Sequence, residues 1–317
     1  MVSQGSVLVT GGAGFIGHHL VRELVKRNYR ITVLDNLSTG KKERIVDFDS
    51  PLVDFIEGDI RDSGIYASVF KREFRTVFHL AAQSNVPDSL TCPSETEAIN
   101  VGGSRHLAET CLAQNTIPYL VFASSAAVYG SKVSAPTRED ALCEPESPYG
   151  ESKLQFEKDL AGRWGERAHY PRWAGLRFSN VFGSGQSING EPGVITRFMY
   201  NVDKGLPLLV FGSGHQTRDF IHVRDIVGAL LHASTTLSTK KSLNGVYNVS
   251  TQIPTSINDL VTLIGAGSRT PLTPEYRPSR PGDVLHSSLD NSRLRATGWH
   301  PTTNLERDLT VLLRYAA

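Results

Sequence analysis

A run of glycines set between a short apolar strand and an amphipathic helix is the feature that most narrows what this chain can become. Ser6 to Thr10 has the pattern of a strand, and it leads straight into TGGAGFIG. There Gly12, Gly14 and Gly17 satisfy G-x-G-x-x-G, while Gly11, Gly14 and Gly17 satisfy G-x-x-G-x-x-G. From Phe15 to Arg27 the apolar residues Phe15, Ile16, Leu20 and Leu24 recur at helical spacing. Glycines at such a junction let backbone N–H groups and the helix N-terminus approach a pyrophosphate. A second strand, Tyr29 to Leu34, delivers Asp35 eighteen residues after Gly17. A carboxylate there accepts hydrogen bonds from an adenosine ribose diol and repels a 2′-phosphate, so the cofactor expected is NAD rather than NADP. Without a cofactor, the same letters would mean only a tight strand–helix turn and a solvated aspartate.

The strand-then-helix texture continues through the first half. Apolar and β-branched runs return at Val53 to Glu57, Thr76 to Leu80, Tyr119 to Ala123 and Trp173 to Phe178. Helix-length segments between them predict parallel β-α-β units. The class expected is α/β: a Rossmann-type doubly wound parallel sheet over residues 1–177, then a smaller C-terminal substrate-binding region over 178–317. Some late segments are expected to return to the first domain. Past residue 178, Gly183, Gly185, Gly190, Pro192, Gly193, Pro207, Gly212 and Gly214 punctuate shorter elements, as site-building loops do.

Charge and hydropathy exclude other classes. With 33 Lys plus Arg against 32 Asp plus Glu the net charge is +1, which leaves no basic footprint for nucleic acid. No apolar run reaches the ~18 residues that a membrane span needs. Cys92, Cys111 and Cys143 make neither a disulfide framework nor a metal spacing, and the N-terminus lacks a signal-peptide pattern. A cytoplasmic protein is expected.

A second constellation carries chemistry. In SPYGESK, Tyr149 and Lys153 stand four apart at a helix start, on one face. A phenol is a weak base at its ordinary pKa of about 10, but a neighbouring ammonium and a cationic nicotinamide ring favour the phenolate. Such a tyrosine can accept a hydroxyl proton while hydride leaves the same carbon. Upstream, Ser124 and Ser125 follow a strand's carboxyl end, where doubly wound sheets bind ligands, and Ser125 can hydrogen-bond the reacting hydroxyl.

With these residues in place the chain resembles an extended short-chain dehydrogenase/reductase, and is most similar to the UDP-sugar 4-epimerases. The matching motifs run in family order: TGGAGFIG, DNLSTG from Asp35, GDIRD, HLAAQ from His79, INVGG from Ile99, SSAAVYG from Ser124, SPYGESK, RFSNVFG from Arg177, RDFIHVRD from Arg218 and RPGD from Arg280. The resemblance implies a bound NAD that is reduced and reoxidised within one turnover, a UDP-sugar substrate and a homodimer. The dimer would form through helices near Asn100 to Leu112 and Tyr149 to Leu160. Tyr149, Lys153 and Ser125 become the catalytic set. The cofactor contacts it implies are Gly11, Gly14, Phe15, Ile16, Gly17, Asp35, Asn36, Asp59, Ile60, Leu80, Ala81, Ala82, Asn100, Tyr149 and Lys153. Besides Ser125, the substrate contacts are Asn180, Arg197, Phe211, Arg218, Arg280, Asp283 and Ser287.

Relatives that dehydrate nucleotide sugars carry an acidic pair or a single Glu just before Val-Tyr-Gly of the serine segment. Here Ala126 and Ala127 stand there, and methyl groups transfer no protons. Epimerisation is therefore expected over the alternatives: a dehydratase, a 4-ketoreductase or a non-catalytic NAD-binding sensor. Ser287 aligns with a larger tyrosine that in some relatives narrows the space beside the sugar 2-position, so an N-acetyl group is expected to fit. The segment SGQS from Ser184 offers no basic partner for a uronate. His18 and His19 are expected on the outer part of the first helix, solvated, and no metal is assigned. Trp164, Trp173 and Trp299 are expected to pack.

Overall fold

The computed structural model describes residues 5–44, 50–165, 172–189, 192–239, 243–268, 272–279 and 284–315. In chain order its strands are β1 (Ser6–Thr10), β2 (Arg30–Asp35), β3 (Val53–Glu57), β4 (Thr76–His79), β5 (Tyr119–Ser125), β6 (Trp173–Phe178) and β7 (Asn180–Phe182). Then follow β8 (Leu208–Phe211), β9 (Thr217–His222), β10 (Gly245–Val249), β11 (Pro254–Ser256), β12 (Pro274–Arg277) and β13 (His286–Ser287). The chain divides into two compact units. The first comprises Met1–Gly130, Cys143–Arg177 and Val227–Tyr247; the second comprises Ser131–Leu142, Phe178–Ile226 and Asn248–Ala317. Two segments cross the division near 177/178: Val227–Tyr247, a late segment, belongs to the first unit, and Ser131–Leu142 to the second.

In the first unit seven strands form one sheet in the order β10-β6-β5-β4-β1-β2-β3. β1 pairs in parallel with both β2 and β4, β2 with β3, and β4 with β5. Strand order reverses at β1 and β4, so the crevice outside their carboxyl ends is where a ligand can enter such a sheet. The strands read as near-continuous apolar runs because helices cover both faces. Leu8, Leu34, Val77, Leu107, Leu120, Phe122, Phe156, Leu160 and Trp173 are among the buried side chains of one core cluster.

The helix Phe15–Lys26 buries Leu20, Val21 and Leu24, as its spacing predicts. It also buries His18, which corrects the expectation of a solvated pair. The His18 ring turns back to donate from Nδ1 to the Gly14 carbonyl at 2.9 Å, and desolvation lowers its pKa to about 4. Trp173 and Trp299 are buried as expected, and the Trp164 side chain lies outside the described residues.

The second unit is built on short strands. β9 pairs antiparallel with β11 and in parallel with β13 over its first residues, then in parallel with β7; β8 pairs separately with β12. Its own core gathers Phe182, Phe198, Leu208, Val210, Leu260, Ile264 and Leu309. Buried aspartates tie its loops down. Asp219 accepts from the Thr251 and Gln252 N–H groups and from the hydroxyls of Thr251 and Ser288, at 2.7 to 3.2 Å. No helix among the described residues is long and apolar enough to cross a membrane.

Candidate active site

The glycine loop closes tightly on the strand beside it. Gly11 has φ of +71°, and a Cβ there would lie 2.6 Å from the Ala81 nitrogen; one on Gly17 would lie 2.1 Å from the Gly11 oxygen. Side chains at either point would push the loop off the β1/β4 crevice. The helix that follows starts from Gly14 with no side-chain cap and no acidic residue in its first turn. The first N–H groups of a helix have no intrahelical partner, so this end suits an anion.

At the tip of β2, Asp35 is 7% exposed and its two oxygens accept N–H bonds from Ala13 at 2.9 Å and Leu37 at 2.8 Å. Burial pushes its carboxyl above the usual range while those bonds oppose the shift. Each carboxylate oxygen keeps lone-pair capacity for a ribose hydroxyl. Asn36 donates to Asp59 at 3.0 Å, and Arg61 and that amide hold the Asp59 carboxyl down at about 2. Ile60 is buried beneath, while Leu80, Ala81 and Ala82 follow β4, next to the glycine loop. The glycine loop, Asp35, Asn36, Asp59 and Leu80–Ala82 thus follow neighbouring strand ends, and they fit NAD: a tight uncapped helix start for phosphates and a carboxylate for a ribose.

Two of the catalytic candidates, Tyr149 and Lys153, stand at the start of the helix Pro148–Gly165. Ser147 caps it by accepting the Gly150 N–H at 3.1 Å, and Pro148 supplies the first helical residue. Tyr149 is consequently fixed in the first turn, where the helix dipole favours negative charge. Gly150 lets this turn approach the short helical turn Ala126–Val128, since a Cβ there would lie 2.6 Å from the Ala127 carbonyl oxygen. β5 runs on to Ser125, two residues past the expected end at Ala123. Ser125 Oγ accepts the Ala127 N–H at 3.2 Å. Lys153 is 4% exposed, with Nζ donating to the Ala123 carbonyl at 3.0 Å and lying 5.7 Å from the Tyr149 ring centroid. Desolvation lowers its pKa to about 7, and the Glu157 carboxylate opposes the shift.

Beneath this set lies a layer that sequence reasoning missed. Glu157 takes both Nε and Nη2 of Arg177, at 3.0 and 2.6 Å, with both side chains about 95% buried. Ser124 Oγ donates to Glu157 at 2.5 Å. The two serines therefore separate: Ser124 is buried structure, and Ser125 is the one left for chemistry. The signal was available, because Glu157 follows Lys153 by four residues on one helix face.

In the second unit, Asn180, Arg218 and Ser287 come together on adjoining strands. Ser287 stands in register with Arg218, and the Asn180 amide donates to the Asp219 carbonyl at 3.4 Å. The Arg218 guanidinium donates to the carbonyls of Thr217 at 2.9 Å and Val284 at 2.6 Å. Phe211 is half-buried at the end of β8, in the separate two-stranded sheet, and Arg197 is exposed on the helix Val194–Asp203. Arg280 and Asp283 lie outside the described residues.

Residues 7–250 match the family described as NAD dependent epimerase/dehydratase. The chain belongs to the NAD-dependent epimerase/dehydratase family. A UDP-glucose 4-epimerase of Mycolicibacterium smegmatis is 32% identical over 310 residues, covering 97% of each chain. Two solved structures superpose on this family member with a TM-score of 0.90. One is the UDP-glucose 4-epimerase of Thermotoga maritima with UDP-glucose, 34% identical over 98% of both chains. The other is a UDP-N-acetylglucosamine 4-epimerase of Methanobrevibacter ruminantium in complex with UDP-N-acetylmuramic acid, 31% identical over 99% of this chain and 98% of that one. The expected family and Rossmann-type α/β fold are thus shown. For this epimerase/dehydratase member, the question left to the site is which reaction its side chains serve.

Proposed function

We propose that this protein is an NAD-dependent 4-epimerase of UDP-hexoses, interconverting UDP-glucose with UDP-galactose and accepting the N-acetylated pair. The observation that carries the reading is the close approach of the first turn of the Tyr149 helix to the short turn that follows Ser125, where Gly150 faces the Ala127 carbonyl and alanines stand at 126 and 127 in place of acidic side chains. The glycine loop and Asp35 would hold NAD, which would supply a hydride acceptor and donor for the sugar C4. Tyr149 accepts the proton of the 4-hydroxyl and later gives it back, helped by its place in the first helical turn. Ser125 hydrogen-bonds the same oxygen, and Lys153 supplies positive charge beside the phenol when protonated. Water elimination would need a further acid and base, which two alanines do not offer.

The nucleotide end is assigned to the second unit. Asn180 and Arg218 are proposed to meet the diphosphate with Arg280, and Asp283 the uridine ribose; Arg197 and Phe211 extend the pocket. Small Ser287 leaves room at the sugar 2-position, and the named activities of the Thermotoga and Methanobrevibacter relatives support both substrate pairs. A homodimer through the helices Ser104–Leu112 and Pro148–Gly165 and a cytoplasmic location complete the reading; sedimentation at a monomer's mass would overturn the dimer. The test of function is NMR of products from UDP-glucose and UDP-GlcNAc, with and without added NAD. The 4-epimers are expected. A dehydrated keto sugar, or no conversion of any UDP-hexose, would overturn the proposal.

A further inference from the structure

One buried group in the first unit has no place in that reaction scheme. His79 ends β4 in register with Thr10 at the end of β1, is 1% exposed, and packs against the rings of Phe122 and Phe156 at 5.9 and 5.8 Å. Both its nitrogens are engaged: Nδ1 lies 2.7 Å from Thr10 Oγ1 and Nε2 lies 2.8 Å from Ser104 Oγ.

Counting protons fixes the direction of each bond for a neutral ring. Ser104 has one hydroxyl proton, and it goes to the Asn100 carbonyl at 2.5 Å, which can only accept. Ser104 must then accept from His79, so Nε2 carries the hydrogen. A neutral ring with that proton accepts at Nδ1, and Thr10 donates to it. The Thr10 oxygen in turn accepts the Ala81 N–H at 3.3 Å. An imidazolium would reverse the Thr10 bond and displace the Thr10 hydroxyl proton from Nδ1, and burial beside the Lys153 ammonium opposes that charge.

The chain does not stop at Asn100. This residue sits in a π-helical turn, Ala98–Gly103, at the head of the helix Ser104–Leu112. Its amide donates to the Gln83 carbonyl and to Ser152 Oγ, each at 2.9 Å, and its Oδ1 accepts the Gln83 N–H at 2.8 Å. Ser152 Oγ then donates to the Tyr149 carbonyl at 2.7 Å. A line of hydrogen bonds thus runs from the loop after β4 to the peptide of the proposed base.

We propose that His79, held as the neutral Nε2–H tautomer, is a positioning residue that fixes the Asn100 turn and, through Ser152, the place of Tyr149 relative to the Leu80–Ala82 loop. Its kinetic consequence rests on the epimerase reading above; its tautomer and the bond path do not. In the ¹⁵N-histidine-labelled protein, two-bond ¹⁵N–¹H spectra should show His79 as Nε2–H and unchanged from pH 8 to 5. An Nδ1–H form, or an imidazolium in that range, would overturn the proposal.

Variants separate position from packing. Gln can keep a donor near Nε2, Asn places its polar atoms near Nδ1, and Phe keeps only the ring volume against Phe122 and Phe156. For H79F and H79N, kcat on UDP-glucose should fall about 10- to 100-fold with KM within a few-fold, and H79Q should recover most of it. S104A breaks the same line without touching the ring, so it should lower kcat similarly, and H79F with S104A should cost little more than either alone. The backbone amide signals of Gln83 and Ser152 should move in S104A whether or not any sugar turns over. Full kcat in S104A, H79N equal to H79Q, or unmoved amides would each sink the idea. A wild-type protein inert on UDP-hexoses would instead refute the substrate reading, and the tautomer and amide results would still decide the role of His79.

Discussion

The two units hold their functional side chains in different ways. In the first, Ser125, Tyr149 and Lys153 hang from a buried polar lattice: Ser124, Glu157 and Arg177 on one side, Asn100 and Ser152 on the other. In the second, Asn180, Arg218 and Ser287 sit half-buried on strands of two to six residues, the first two bonded to main-chain carbonyls. A proton must be passed between atoms placed to fractions of an ångström, and buried networks rigidify. Gripping a diphosphate and a base tolerates adjustment, and short strands joined by loops allow it. Changes in the first unit should therefore alter kcat, and stability too where they break the lattice, and changes in the second should alter KM and substrate choice.

The largest effect expected tests the chemical side. Tyr149→Phe removes the proposed base while keeping the ring, and should lower kcat by about 10²- to 10⁴-fold, the range of general acid–base catalysis. KM and thermal stability should stay near wild type. A variant within a few-fold of wild-type kcat would break the contrast at its root.

Next comes the support beneath it. Glu157→Gln leaves Arg177 buried without its carboxylate, a loss of about 3–5 kcal/mol for a buried pair broken on one side. Urea denaturation of both proteins would measure it. The change also acts on Lys153, because the lost carboxylate was what opposed the burial-driven fall of its pKa to about 7. The folded value lies below the unfolded one, so the unfolded chain binds more protons between about pH 7 and the ordinary lysine range. The Lys153 contribution to stability consequently rises with pH across that window and is level below it. In Glu157→Gln the window should open at a lower pH, which stability curves between pH 6 and 9 would show.

Gly150→Ala should have a moderate effect. The new methyl would meet the Ala127 carbonyl, and the strain of overpacking is about 1–3 kcal/mol. Relief by moving the helix start would carry Tyr149 away from Ser125, so kcat should drop more than stability does. An equal loss in both, compared by thermal melts and initial rates, would show that the approach of the two segments matters to packing alone.

The same contrast governs how much was legible in the sequence. The glycine loop, Asp35, and the Tyr149–Lys153 pair at i and i+4 are short-range patterns, and each element they imply is present within a residue or two. Ser125 was singled out in the sequence, but the structural role of Ser124 was not legible, because it depends on Glu157, 33 residues away and brought close by β5 packing on the helix Pro148–Gly165. His18 was misjudged for a related reason: helical spacing placed it away from the apolar stripe, but its ring folds back onto the Gly14 carbonyl and out of water. In the second unit, strands such as His286–Ser287 are too short to leave a periodic signal, so only family motifs pointed to Arg218 and Ser287.

The smallest effect expected is also the one that most sharpens the contrast. Ser287 stands beside Arg218 in the β13–β9 ladder, half-buried, at the position argued to border the sugar 2-substituent. Ser287→Tyr should leave kcat on UDP-glucose nearly unchanged, because none of the lattice bonds named above involves β13. It should lower kcat/KM for UDP-GlcNAc relative to UDP-glucose by about 10-fold, the scale at which a pocket discriminates by bulk alone. Competition between the two sugars in one reaction, followed by product NMR, reads that ratio directly. A fall of both substrates together would mean that the larger side chain has disturbed Arg218 and the diphosphate grip. An unchanged ratio would place the 2-substituent elsewhere, and the recognition assigned to the second unit would then have to rest on Asn180 and the arginines alone.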